Sequence, residues 1–453
     1  MMSSALALLS ALAPLAEAAP SIPSQTFTLP NGLTVILSED HNAPIVGIDM
    51  LYGVGSKDEK SGRTGFAHLF EHLMFEGSLH VPKGEADRLI ESAGGNANGG
   101  TRADTTEYWE QVPSNALEQM LFIESDRMGF LLPTLDQAKL DNQRDVVRNE
   151  RRQTYEMRPY GLASMRLVEN LWDPDFPYHW LPIGSHEDLA AATLDDVKEF
   201  FRRFYGPKNA SLAIAGDIDL KKTRALVEKW FGPLPAGNAP PHQYPLPKPL
   251  RVEKRVKMED DVQLPRLYIA WQSPKSYAPD DAALDVLAQV LSDGKSARLV
   301  KRMVMDEQIA QSVDAAQQSE MLAGSFLVVA TPKPEQSLDR LEKEIDEEIA
   351  RISREPPSAG ELARAKNKIE SNMIFALEPM GGFGGRAATL NAYWLNTRDT
   401  AFFAKDLERY RRVTAEDVRA AAARWLVKDA RVLLSVVPRA ASTNATPGHK
   451  ENN

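Results

Sequence analysis

Cysteine is absent from all 453 residues, so no disulfide holds this chain and any metal site must draw on His, Asp and Glu. Long apolar runs are absent too: no stretch is long enough to span a bilayer. Excess positive charge is missing. The 53 Lys and Arg face 63 Asp and Glu, a formal net charge of -10, which argues against nucleic acid or an anionic membrane surface as a partner. Histidine is scarce, eight in all, and none lies between Leu250 and Val437.

What is present is an ordinary globular balance, 43% apolar and 26% charged. The length exceeds what one compact core holds, so two large domains are expected. Residues 1–19, MMSSALALLSALAPLAEAA, carry a short apolar run ahead of Ala16-Glu17-Ala18, a small-residue cleavage pattern. They read as a secretory signal peptide, although the leader has no Lys or Arg at its start. The expectation is an exported, periplasmic protein. Residues 438–453 are polar and aperiodic, and a disordered tail is expected there.

Residues 232–250, GPLPAGNAPPHQYPLPKPL, are dense in proline, which resists helix and sheet and favours an extended linker. The segments on either side look like copies. Thr193-Leu-Asp-Asp196 and Thr414-Ala-Glu-Asp417 each start a helix with a capping-box pattern, and each helix leads into an apolar strand, 211–215 and 431–437. Near the start of each half a strand (45–52; 267–271) precedes an apolar helix (66–75; 282–291). The expected organisation is α+β: two homologous domains, 24–232 and 251–437, joined by a linker at 233–250. Each is a mostly antiparallel sheet with amphipathic helices on one face.

The chemistry concentrates in Phe66-Ala-His68-Leu-Phe-Glu71-His72-Leu-Met-Phe75. On a helix His68 and His72 are four apart and share a face, where two imidazoles can grip one tetrahedral zinc. Glu71 stands at the edge of that face, placed to take a proton from water at the metal. The surrounding residues are apolar, and burying three unpaired polar groups there would be costly. The plain alternative is a helix whose histidines are core or surface residues. Catalytic zinc takes three protein ligands. In Asp141-Asn-Gln-Arg-Asp-Val146-Val147-Arg-Asn-Glu150, Glu150 follows Val147 by three and Val146 by four, on the apolar face of a charged helix. Taken alone, a solvated carboxylate balanced by the neighbouring arginines is the simpler account of Glu150.

With these residues in place, the chain resembles the M16 metallopeptidases (the pitrilysin, insulin-degrading and mitochondrial processing peptidase family) in their short M16B form. The phrases that carry the resemblance are His68-Leu-Phe-Glu71-His72, Arg144-Asp-Val-Val-Arg-Asn-Glu150, 78 residues after His72, and Tyr205-Gly-Pro-Lys-Asn209 through Gly216-Asp217. The resemblance implies Zn²⁺ held by His68, His72 and Glu150, with Glu71 as catalytic base. It implies a clam-shell of four domains, hence a dimer of two-domain chains. It also implies that a peptide substrate adds as a strand beside the metal, along Asn98, Gly99, Gly100 and Thr101. The family more often has Ala and an aromatic where Gly99-Gly100 stands; the glycines are expected to permit close backbone approach and to loosen the strand.

Two further departures bear on function. Seven residues before the zinc Glu the family often has a second, supporting Glu; here the position is Gln143. Relatives with activity place an Arg and a Tyr in the second domain to hold the substrate and polarise its carbonyl. Val304 and Gln311 fall at those positions, with Arg298 and Arg302 nearby but out of register. The expectation is a zinc endopeptidase subunit that needs a homologous partner carrying the Arg/Tyr pair, with a homodimer as the fallback. The rival from another class is a non-catalytic assembly subunit of the same family, which would have no use for the intact H-x-x-E-H. The 381–385 glycine loop and the six other histidines (His41, His80, His179, His186, His242, His449) read as structural or surface residues.

Overall fold

The computed structural model describes residues 20–241 and 243–439. The expected signal peptide, all but the first two residues of the expected tail, His242 and His449 lie outside the described residues.

Two mixed sheets form the frame. The first contains β1 (Gln25–Thr28), β2 (Thr34–Glu39), β3 (Ile45–Tyr52), β4 (Asn96–Thr101), β5 (Thr106–Pro113) and β6 (Ala210–Gly216), in the order β1-β2-β6-β3-β5-β4. The second contains β7 (Lys254–Asp260), β8 (Arg266–Ser273), β9 (Ala310–Ser319), β10 (Gly324–Pro332) and β11 (Arg431–Pro438), in the order β7-β11-β8-β10-β9. The β2–β6 and β7–β11 pairs are parallel and the rest antiparallel. Without β1 the two orders superpose strand for strand, which makes the internal repeat explicit. Central strands read as unbroken apolar runs: all of β6 after Ala210 is buried. The edge strand β7, KRVKMED, alternates between half-buried and exposed, as an edge with one wet face should.

The helices on one face of each sheet close two cores, one around Ile48, Phe70 and Phe201, the other around Ile269, Leu287 and Phe326. Thr193 and Thr414 each cap a helix, their hydroxyls accepting from the Asp196 and Asp417 amides at 3.2 and 3.1 Å while those carboxylates accept the threonine amides in return. The opposite faces are covered by exchange. Helix Arg386–Thr397, from the second half, lays Leu390 and Tyr393 with Met380 over Ile36, Ala213 and Ala215 of the first sheet. Helix Ala163–Leu171, from the first half, lays Leu167 and Leu171 over Tyr268, Ala270 and Leu434 of the second. Each half thus supplies the lid for its partner's sheet.

Polar ties reinforce the exchange. Buried Asn391 donates to the Asp49 backbone carbonyl at 2.8 Å and to its carboxyl at 2.6 Å, and burial holds the Asp49 pKa well above its ordinary value. At the β4–β5 turn the Asp104 carboxylate accepts from the Tyr178 hydroxyl at 2.7 Å and from the Met321 amide, in the β9–β10 turn, at 2.8 Å. The free edge of β4 is therefore held in fixed relation to the second sheet.

Candidate metal centre and active site

The helix Phe66–Met74 begins at Gly65, left-handed at φ +87° and without a capping side chain. The Glu59 carboxyl does the capping from a distance, accepting the Gly65 amide at 3.0 Å and the Ala67 amide at 2.8 Å. From this start His68 and His72 stand one turn apart, ring centroids separated by 4.8 Å. Helix Gln137–Arg151, capped by Asp136 onto the Lys139 amide, packs alongside. It brings Glu150 Oε2 to 3.6 Å from His68 Nε2 and 3.4 Å from His72 Nε2.

The buried face of this second helix is Leu140, Gln143 and Val147. Val146, expected beside Val147 on the apolar face, is instead 40% exposed. Seven residues make about two helical turns, so Gln143 and Glu150 share one stripe while Val146 stands beside it, toward solvent.

One ligand atom from each of His68, His72 and Glu150 lies within 4.8 Å of the other two, the one such cluster among the described residues. Two imidazoles and a carboxylate make a donor set that suits zinc. Burial, then the neighbouring His72, pushes the His68 pKa down to about 4, so its ring is neutral with a lone pair to give at neutral pH. Burial also lowers the His72 pKa, but Glu150, Glu71 and Gln143 more than offset it and hold the value above normal. The hydrogen bond to His72 keeps Glu150 below its ordinary value. The residues fit the metal.

Gln143, left without a clear role by the sequence, joins this centre. His72 Nδ1 lies 3.2 Å from Gln143 Oε1, a contact that places the proton on Nδ1 and turns the Nε2 lone pair toward His68 and Glu150. Gln143 Nε2 donates in turn to Glu76 at 2.6 Å, and Lys83 holds Glu76 at 2.7 Å. An amide bridges a ring N–H and a carboxylate, as a supporting Glu could not without repelling Glu76. Gln143→Ala should weaken zinc binding about 10- to 100-fold, read by chelator competition; Gln143→Glu should also weaken it, through like charge beside Glu76.

Glu71 is buried, and burial raises its pKa, partly countered by the Thr101 hydroxyl, which donates to Oε2 at 2.7 Å. Thr101 ends β4, so the edge strand is tied directly to Glu71. Sequence reasoning assigns Thr101 only a place on the strand. The signal that points further is parity: Ala97, Gly99 and Thr101 pair with Glu110, Tyr108 and Thr106 and share the face toward the metal helix.

β4 pairs only with β5, and its other edge is open. Beside it lies a cavity of about 710 Å³ lined by His68, His72, Glu150, Glu71, Phe75 and Gly99. The glycines allow the close approach expected of them. A Cβ on Gly99 would stand 3.0 Å from the Phe75 ring, and one on Gly100 would stand 2.8 Å from the Phe383 ring. The Gly-rich loop 381–385, read from sequence as merely structural, thus reaches the edge strand of the other half.

The matching helix of the second half, Asp281–Ser292, presents Asp285, Ala288 and Gln289 where the first presents His68, Glu71 and His72. Asp285 accepts from the Tyr410 hydroxyl at 2.8 Å, and burial, then Asp281, pushes its pKa up to about 7. Val304 packs on the second core and Gln311 is exposed on β9. Arg298 is bound to Glu361 at 2.7 Å and Arg302 to Glu307 at 3.2 Å, so neither stands free to replace the missing Arg. The other described histidines are engaged elsewhere: His41 with Asp217, His80 with Asp126, His186 with Glu156 and His179 with the Trp172 carbonyl.

Comparison with known proteins places this architecture. Residues 34–174 match the insulinase family, peptidase family M16, and residues 191–369 match the peptidase M16 inactive domain. The zinc protease PqqE of Helicobacter pylori is 30% identical over 365 residues, covering 80% of this chain and 82% of that protein. The chain belongs to peptidase family M16. As an M16B-type member it shares its fold with a protease from Helicobacter pylori of known crystal structure, at a TM-score of 0.86 and 27% identity over 92% of this chain and all of that one. The periplasmic protease PqqL of Escherichia coli has the same fold at a TM-score of 0.75 and 20% identity, with 93% of this chain covering 48% of that one. This chain therefore spans about half the length of that protease. No helix among the described residues is long and apolar enough to cross a membrane.

Proposed function

We propose that this M16 chain is a zinc-dependent endopeptidase subunit that hydrolyses extended peptides or small unfolded polypeptides. The observation that carries the proposal is the convergence of His68, His72 and Glu150 beside a buried carboxyl, Glu71, at the open edge of β4. Zinc bound there would supply Lewis-acid polarisation and a water of lowered pKa.

The chain's own residues do the rest. The free edge of β4 offers main-chain donors and acceptors to any extended peptide, so binding needs no particular sequence. Thr101 holds Glu71 Oε2 and leaves Oε1 to take the proton of the attacking water and pass it to the departing amine. Burial that raises the Glu71 pKa makes both halves of that shuttle easier near neutral pH. Gln143 fixes the His72 ring.

The second half offers no electrophilic counterpart at Val304 and Gln311. We therefore infer a homologous partner that brings the Arg/Tyr pair, the assembly being two such chains, as the doubled length of PqqL suggests. Export to the periplasm, on the strength of the leader-like residues 1–19, is part of the same proposal.

The test is cleavage of a quenched fluorescent peptide by the chain alone and with a homologous subunit, before and after chelation and zinc return. Cleavage that needs the partner and follows the zinc is the expected result. Full activity of the chain alone would remove the partner, and activity that survives chelation would remove the metal.

A further inference from the structure

A peptide added to β4 sends alternate side chains to opposite faces of the sheet. One set meets the metal helix and its cavity. The other set meets a surface that the second half provides.

Residues 380–385, Met-Gly-Gly-Phe-Gly-Gly, end the connection between helix Ala359–Phe375 and helix Arg386–Thr397. The loop is pinned to the first sheet at both ends: the Gly381 amide donates to Gln111 Oε1 at 3.1 Å, and Arg386 pairs with Asp40. Gly382 and Gly384 adopt φ +91° and +74°, a backbone that other residues take only at a cost. This turn lifts Phe383 onto the far face of β4. The ring lies over Gly100 and meets Trp109 edge-on, 5.8 Å between centroids at 80°. The Arg102 guanidinium flanks it at 5.9 Å. A ring that served only to shield Gly100 would bury itself. Phe383 leaves 44% of its surface open, at the same edge where a substrate strand would add.

We propose that Phe383 is a specificity-determining residue, whose open face receives an apolar or aromatic substrate side chain pointing away from the metal. This rests on the peptidase reading and adds the substrate class. Gly100 has no side chain to compete for that space, and Trp109 forms its floor. An incoming phenyl or branched aliphatic group would bury its own surface and that of Phe383 together, with edge-to-face geometry available to an aromatic. The preference should have a parity: it falls on one position of the bound strand, not on its immediate neighbours, whose side chains face the metal cavity.

The experiment is a positional-scanning peptide library cleaved by the complete assembly, with wild type, Phe383→Ala and Phe383→Leu compared. Wild type should favour Phe, Leu or Met over Ala or Ser about tenfold at one far-face position. Phe383→Ala should flatten that position and leave the metal-side positions alone. Phe383→Leu, which keeps bulk, should retain a reduced apolar preference and an unchanged melting temperature. An unchanged profile in Phe383→Ala would overturn the proposal, as would an equal loss at every position. Binding of the same peptides to the Glu71→Gln assembly, read by fluorescence anisotropy, separates the two claims. Selective binding without any cleavage by wild type would sink the peptidase reading and keep Phe383; cleavage without selectivity would do the reverse.

Discussion

Glu71→Gln should leave zinc bound and lower kcat/KM by roughly 10²–10⁴-fold. The substitution keeps the size and shape of the side chain, and the amide oxygen can still accept from the Thr101 hydroxyl, which now donates to Glu71 at 2.7 Å. It removes the one property the mechanism needs, the ability to hold a proton. The metal ligands are untouched: Glu71 points to β4, whereas His68 and His72 point to Glu150. A neutral amide costs less to bury than a carboxylate, so the folded chain should not be weakened. Activity within tenfold of wild type would mean that the base is another group.

Single replacement of His68, His72 or Glu150 with Ala should abolish stable zinc binding, and turnover with it. The loss should exceed the roughly 10- to 100-fold cost expected for a supporting residue such as Gln143. Three protein ligands are the usual number for a catalytic zinc, and two leave the ion too weakly held. Glu150 is the most informative of the three. It stands on a different helix from the histidines, it is 40% exposed at the side chain, and its own sequence context reads as a charged surface. A Glu150→Ala chain that retains stoichiometric zinc would break the ligand assignment even if both histidines proved essential.

Much of this was legible before any coordinates. β3 and β6 announce themselves as apolar runs because both their faces are covered, and Thr193 and Thr414 mark helix starts because their side chains satisfy amides the helix leaves open. The 68–71–72 spacing points to a metal because only a helix face brings those atoms together. The fold beyond that was less readable, for physical reasons. An amphipathic stripe on Ala163–Leu171 or Arg386–Thr397 says that the helix packs, not that it packs on the sheet of the other half. β4, Asn-Ala-Asn-Gly-Gly-Thr, has poor strand propensity and owes its conformation to pairing with β5. Its glycines leave the space that Phe75 and Phe383 fill, but the sequence does not say which side chains come close. Val146 stands toward solvent because Gln143 and Val147 take the buried stripe of their helix, which the spacing from Glu150 does not decide. Gln143 looked like a lost carboxylate until Glu76 appeared beside it.

The most direct test of the metal-and-base account measures zinc content and peptide cleavage on the same samples of three assemblies: wild type, Glu71→Gln and Glu150→Ala. The account predicts stoichiometric zinc in the first two, little in the third, and rapid turnover only in the first. Turnover in a zinc-free sample, or undiminished turnover in Glu71→Gln, would contradict it.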